Sequence, residues 1–158
     1  MNNLISLEEQ DLFYMQKVYA LAQKAFSQDE VPIAAVLLYQ DQVFESFNQR
    51  QKTQLPHDHA EFNVIDQACR KFSTWRLNDA TLYVSVEPCL MCSGLIYQSR
   101  IARVVFSVEN PKGGALSFVE ENAVKLGVNH SVSFSCGLLR AETENMLKQF
   151  FKNKRKKL

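Results

Sequence analysis

A chain of 158 residues, 46% hydrophobic and 22% charged, can bury about 70% of its unfolded surface around one core, and this composition excludes a disordered polymer. A formal net charge of +1 excludes a polyanion-binding surface spread over the whole molecule, although the basic end "KNKRKK" leaves room for a local one. The start "MNNLISLEEQ" lacks the basic flank and long apolar core of a secretion signal, and no apolar run approaches membrane-spanning length, so one cytoplasmic domain over 1–158 with no membrane partner is expected.

In chain order, Leu12, Met15, Val18, Ala22 and Phe26 recur at helical spacing and predict an amphipathic helix over residues 7–27. "VPIAAVLLY" and "QVFESFN" are strand-forming runs separated by the polar pair Gln40 and Asp41, which reads as a hairpin with Phe44, Ser46 and Asn48 on one face. A helix is expected from about Asp58 to Phe72, with Asp58 as a candidate N-cap and Glu61 three residues on. "ATLYVSV" and "RIARVVFSV" are strand-like, and "EPCLMCSGLIYQS" between them has the length of a crossover helix, giving a βαβ unit. After the turn-rich "ENPKGG" come a short helix ending near Gly127, a strand "SVSFS", and a terminal helix from about Leu139 to Lys152. The fold expected is α/β, in three α/β/α layers, with a sheet mostly parallel apart from the opening hairpin.

The chemistry-bearing residues fall in two places. "PHDHAEF" carries His57, Asp58, His59 and Glu61, and alone it is an ordinary helix start. "EPCLMC" carries Cys89 and Cys92 three apart, with Pro88 suited to the first turn of a helix, so both thiols face one way at a helix N-terminus. A thioredoxin-like redox pair and two cysteines packed by chance are competing readings of C-x-x-C. Taken together, His59, Cys89 and Cys92 supply three ligands and leave a fourth tetrahedral position open, the pattern of a catalytic zinc. Glu61 is placed to move a proton without ligating the metal. In a reducing compartment the remaining Cys69 and Cys136 are expected as unpaired core thiols. His57 reads as exposed or behind the site, His130 as a turn residue, and Leu90 and Met91 as core or pocket wall.

The H-x-E…P-C-x-x-C spacing is the signature of zinc deaminases, and with it "HAEF" and "LYVSVEPCLMCSGLIYQSRIARVVFSV" resemble the cytidine deaminase-like superfamily. "EVPIAAVLL", "FNQR", "GVNH" and "FFKNKRKK" follow in order, and with them nearly the whole chain resembles the bacterial tRNA-specific adenosine deaminase family. The resemblance implies a five-stranded mixed sheet, one zinc per chain on His59, Cys89 and Cys92, and Glu61 as proton shuttle. It implies that Asn48 hydrogen-bonds the target base, that Val31, Ala60 and Pro88 border the base pocket, and that Asn110 lies in a loop beside the target nucleotide. Phe150, Phe151, Lys152, Lys154 and Arg155 correspond to an RNA-contacting end, and a homodimer is implied.

The sequence departs from the family pattern at Ala34, where glycine is expected, at Leu55, His57 and Asp58, and at Asn110, where aspartate is usual. The loss of a charge at Asn110 is expected to loosen discrimination between RNA and single-stranded DNA. The activity implied is deamination of adenosine to inosine in a tRNA anticodon loop. Deamination of free guanine or another small base, and a zinc-stabilised RNA-binding module without catalysis, are the alternatives.

Overall fold

The computed structural model describes residues 6–156. Ser6 opens the first helix, α1 (Leu7–Ser27), with a capping box: its hydroxyl accepts from the Glu9 amide while the Glu9 carboxylate accepts from the Ser6 amide. The hairpin strands β1 (Ala34–Tyr39) and β2 (Gln42–Phe47) pair antiparallel, Tyr39 opposite Gln42. Gln40 and Asp41 both sit at positive φ, as a two-residue hairpin turn of matching twist requires.

A single-turn helix α2 (Arg50–Thr53), unforeseen from the sequence, leads to α3 (Ala60–Phe72). The unit β3 (Thr81–Val86), α4 (Leu90–Gln98) and β4 (Arg103–Val108) is the predicted crossover, with β3 and β4 parallel. Then follow α5 (Leu116–Glu121), β5 (Ser133–Cys136) and α6 (Arg140–Lys156). The sheet order is β2-β1-β3-β4-β5. It is mixed and five-stranded as expected, but not mostly parallel: β1 also pairs antiparallel with β3, leaving two antiparallel and two parallel pairs.

Strand alternation divides the core into two layers. Ala34, Val36, Tyr83 and Val105 face Met15, Val18 and Ala22 of α1 and Met146 of α6. Ala35, Leu37, Leu82, Val84 and Val104 face Val64, Ile65 and Ala68 of α3, Ile96 and Tyr97 of α4 and Leu116 of α5. The structure corrects several expectations. The α5 helix stops at Glu121, and turns rather than helix carry the chain to Gly127. The last helix runs on to Lys156, taking most of the basic tail with it. Cys136 is exposed on β5 instead of buried, because every residue of that strand is exposed; Cys69 is half-buried against the core. Leu90 and Met91 are exposed on the outer face of α4.

One buried polar knot ties α1 to the sheet. Arg103 donates from both terminal nitrogens to Asp11 at 2.7 and 2.5 Å, and the Tyr83 hydroxyl donates to Asp11 at 3.0 Å. Burial alone would raise the Asp11 carboxyl, but the hydrogen bonds from Arg103 and Tyr83 outweigh it and leave it below its ordinary 3.8. Breaking the pair strands Arg103, so Asp11→Ala is expected to cost about 3 kcal/mol at pH 7. Because the folded value is depressed, this contribution is complete above pH 3.8 and is lost as pH falls through the lower folded value. Urea denaturation of wild type and variant should show the gap narrowing as pH is taken from 7 to well below 3.8; a gap of equal size at both ends of that range would contradict the assignment.

Candidate active site

Two helix N-termini meet at the carboxyl end of β3. The chain leaves Val86, passes Glu87 and Pro88, and enters α4 with Cys89 as N-cap, so Pro88 precedes the helix instead of occupying its first turn. On the neighbouring helix the N-cap of α3 is His59, not Asp58, whose carboxylate instead accepts from the Asn63 side-chain Nδ2 at 2.5 Å. Both caps have extended backbones, and neither side chain folds back onto its own helix. Histidine and cysteine are poor caps, and using them here forgoes about 1 kcal/mol per helix relative to serine or asparagine. What each gains is a side chain projecting beyond the helix end.

Those side chains converge. His59 Nδ1 lies 3.7 Å from Cys89 Sγ and 3.6 Å from Cys92 Sγ, and the three ligand atoms lie within 4.8 Å of one another. The nitrogen–sulfur separations match the edge of about 3.6 Å that ordinary zinc–sulfur and zinc–nitrogen bond lengths give in a tetrahedron. A hydrogen bond with Cys92, and then the contact with His59, hold the Cys89 thiol far below its ordinary range, while the bond with Cys89 and burial push Cys92 up. The contact with Cys89 raises His59. The donor set thus combines a ready thiolate, a second thiol and an imidazole, which fits a soft or borderline divalent metal.

Glu61, in the first turn of α3, is buried, and its Oε2 has no hydrogen-bond partner. Burial raises its carboxyl to about 7. A buried, unpartnered oxygen whose proton comes and goes near neutrality beside a metal-ligand cluster is a general acid–base in form. Glu61 and His59 form one wall of a cavity of about 220 Å³. Val31, Asn48 and Ala60, three of the expected substrate contacts, line it too. Pro88 and Asn110 do not. The Pro88 carbonyl accepts from the Ser93 hydroxyl and the Ala115 amide, and Asn110 Oδ1 accepts from the amides of Lys112 and Gly113. The Asn110 amide in turn donates to Glu87, and any Cβ at Gly114 would collide with that carboxylate, so this loop is fastened to the α4 entrance.

Ile33, Arg50 and Gln51 also line the cavity and were not singled out in the sequence. Neither was Glu30, which is buried at 1% exposure and accepts from the Asn48 side-chain amide and from the Gln51 and Lys52 amides. Its partners lie 18 to 22 residues away, beyond any local pattern. At the basic end, Phe150 is turned inward at 4% exposure against Phe26, so its expected stacking surface is spent on the core; Phe151 remains 45% exposed. Lys154 pairs with Asp29 at 2.8 Å, bringing the end of α6 beside the segment that carries Val31 to the cavity, while Lys152 and Arg155 are exposed. His57 is exposed and stacks on Phe62, and His130 bonds to the Ile101 carbonyl.

The family model of the MafB19-like deaminases matches residues 9–155. The tRNA-specific adenosine deaminase of Bacillus subtilis (strain 168) is 41% identical over 94% of this chain and 92% of its own, and that of Streptococcus pyogenes serotype M1 is 34% identical over 96% and 89%. A solved structure from work on A-to-I editing by tRNA:A34 deaminases at the wobble position of transfer RNA superposes with a TM-score of 0.78 at 34% identity, covering 85% of this chain and 99% of that one. A guanine deaminase from Nitrosomonas europaea shares the fold at a TM-score of 0.68 and 19% identity, over 93% and 85% of the two chains.

If the α3 cap is given up for metal binding, His59→Ser should separate the two roles. In chelator the variant is expected to be more stable than wild type by about 1 kcal/mol in denaturant titrations, and elemental analysis should find its metal content sharply reduced. A variant that is less stable in chelator, or that retains stoichiometric metal, would contradict this account of the helix end.

Proposed function

We propose that this chain, which belongs to the MafB19-like deaminase family and is akin to the tRNA-specific adenosine deaminases, hydrolyses adenosine to inosine at the wobble position of a tRNA anticodon. The observation that carries the chemistry is the unpartnered Glu61 oxygen beside three converging metal ligands. His59, Cys89 and Cys92 would hold one zinc ion, which when bound would supply Lewis acidity that lowers the pKa of a water towards neutrality. Glu61 accepts one proton as water adds at C6 of the purine and passes it to the ring nitrogen, then takes the second from the new C6 hydroxyl and passes it to the departing amine as the C6–N bond breaks. Water and adenosine thereby become inosine and ammonia. A carboxyl raised to about 7 both takes and gives the proton at neutral pH, where one of ordinary acidity would be too weak a base to take it up.

The rest of the cavity recognises the base. The Asn48 amide meets the purine edge, with Val31, Ile33 and Ala60 as apolar walls, and the Pro88 carbonyl, bonded to the Ser93 hydroxyl, ties the α4 entrance to the helix. Asn110 holds its loop against the α4 entrance, beside the nucleotide that enters. Arg50 at the cavity wall, together with Phe151, Lys152 and Arg155 on α6, gives an incoming anticodon loop cations for phosphate and one aromatic face for stacking. Lys154 contributes by holding α6 in place through Asp29. An anticodon loop suits this because its bases are unpaired and can be splayed into a pocket at low cost.

The large apolar residues left exposed on α4 and just after α5, namely Leu90, Met91, Val124 and Leu126, support a homodimer as the working form. No helix among the described residues is long and apolar enough to cross a membrane, which agrees with a cytoplasmic site of action on tRNA. Free guanine as the substrate would leave Arg50 and the basic helix without a role, and a non-catalytic RNA-binding module would leave the buried Glu61 oxygen without one. Glu61→Gln is expected to keep its zinc and its tRNA affinity while inosine formation on an anticodon stem-loop, read by mass spectrometry, falls about 10²–10⁴-fold. Near-normal turnover in the variant would overturn the assignment of the proton shuttle.

A further inference from the structure

Glu30 is the one deeply buried charged side chain of the cavity region that the chemistry above does not use. It follows α1 and is 1% exposed. Its Oε2 accepts from Asn48 Nδ2 at 3.1 Å and from the Gln51 amide at 3.1 Å, and its Oε1 accepts from the Lys52 amide at 2.7 Å. The last two amides belong to the first turn of α2, whose own N-cap, Gln49, makes no side-chain capping bond. Burying a carboxylate is costly even when it is well bonded, and a serine or aspartate at position 49 would cap so short a helix more cheaply. Capping alone therefore leaves the buried charge unexplained. What a local cap would not provide is the contact with Asn48.

A carboxylate accepts hydrogen bonds and does not donate them. Facing Glu30, the Asn48 amide can present only its nitrogen, so the ambiguity between its two ends is removed and its oxygen is directed away from Glu30. Asn48 is itself 7% exposed and lines the cavity beside Glu61. The same carboxylate fixes Gln51, and with it the turn that carries Arg50, along the same wall.

We infer that Glu30 is a positioning residue for substrate recognition, locking the Asn48 amide in one orientation so that the cavity offers the purine edge a fixed pattern of donor and acceptor. This rests on the reading of the cavity as the base pocket. Glu30 touches no reacting atom, and it acts through Asn48. An amide free to flip would offer the wrong group part of the time and would have to be ordered by the substrate itself, which weakens binding of the ground and transition states alike.

A double-mutant cycle tests it, with Glu30→Gln, Asn48→Ala and the double variant assayed on an anticodon stem-loop RNA. Glu30→Gln is expected to lower kcat/KM about ten- to a hundredfold, mainly through KM, with zinc content unchanged. In the Asn48→Ala background the same substitution should add less than about a twofold effect. An equal loss in both backgrounds would overturn the proposal and return Glu30 to the status of a remote helix cap.

Hydrogen exchange of the Asn48 side-chain amide, followed by nitrogen-15 NMR, gives a readout that needs no activity. The amide should be protected in wild type and lose protection in Glu30→Gln. An unprotected amide in wild type overturns the proposal even if the variant fails to fold. If wild type makes no inosine while the amide stays protected through Glu30, the failure belongs to the tRNA deaminase reading and not to the Glu30–Asn48 lock.

Discussion

The α3 and α4 N-termini meet at the carboxyl end of β3, and each gives its cap position to a side chain that could hold a metal ion, His59 on one and Cys89 on the other. The rest of the fold is arranged around that exchange. The helix ends are sites of partial positive charge, which favours the Cys89 thiolate over its thiol, and the charge of a thiolate is what would offset a cation held there. Cys92 enters one turn later on the same helix, and Glu61 occupies the first turn of the other. The spacing of H-x-E and C-x-x-C is thus the spacing of two helix ends, each supplying a cap ligand and one further functional group from its first turn.

The cavity divides by origin. The chemical wall comes from α3 and α4, held against the sheet by the apolar layer of Val64, Ile65, Ala68 and Ile96. The recognition wall comes from the segment after α1, the end of β2 and the short α2, which hydrogen bonds join. Glu30 joins all three of these pieces, and Lys154 fastens α6 to the same segment through Asp29.

The strong periodic segments were legible in the sequence, and so were the three-layer arrangement and the convergence of His59, Cys89 and Cys92. Their signals are local: apolar residues at helical or alternating spacing, and ligands at fixed offsets from a helix start. Errors arose where position depends on distant parts of the chain. Phe150 and Phe151 are adjacent and chemically alike, and only the packing of α6 on Phe26 decides which is buried. Cys136 sits in an apolar-looking run, yet it lies on an edge strand exposed throughout. The second antiparallel pair, β1 with β3, follows from where α3 returns the chain and has no sequence mark. Glu30 reads as an ordinary polar residue after a helix, because each of its bonds crosses at least 18 positions.

The central claim is that these two helix ends make a site that deaminates a base within a tRNA loop and not a free base. The direct measurement incubates the zinc-loaded protein with a set of tRNA transcripts carrying adenosine at the wobble position, and separately with free guanine and free adenine, following inosine by mass spectrometry and ammonia release in parallel. The account predicts inosine at the wobble position of at least one tRNA and no ammonia from either free base. Ammonia from free guanine with no inosine in any tRNA would contradict it.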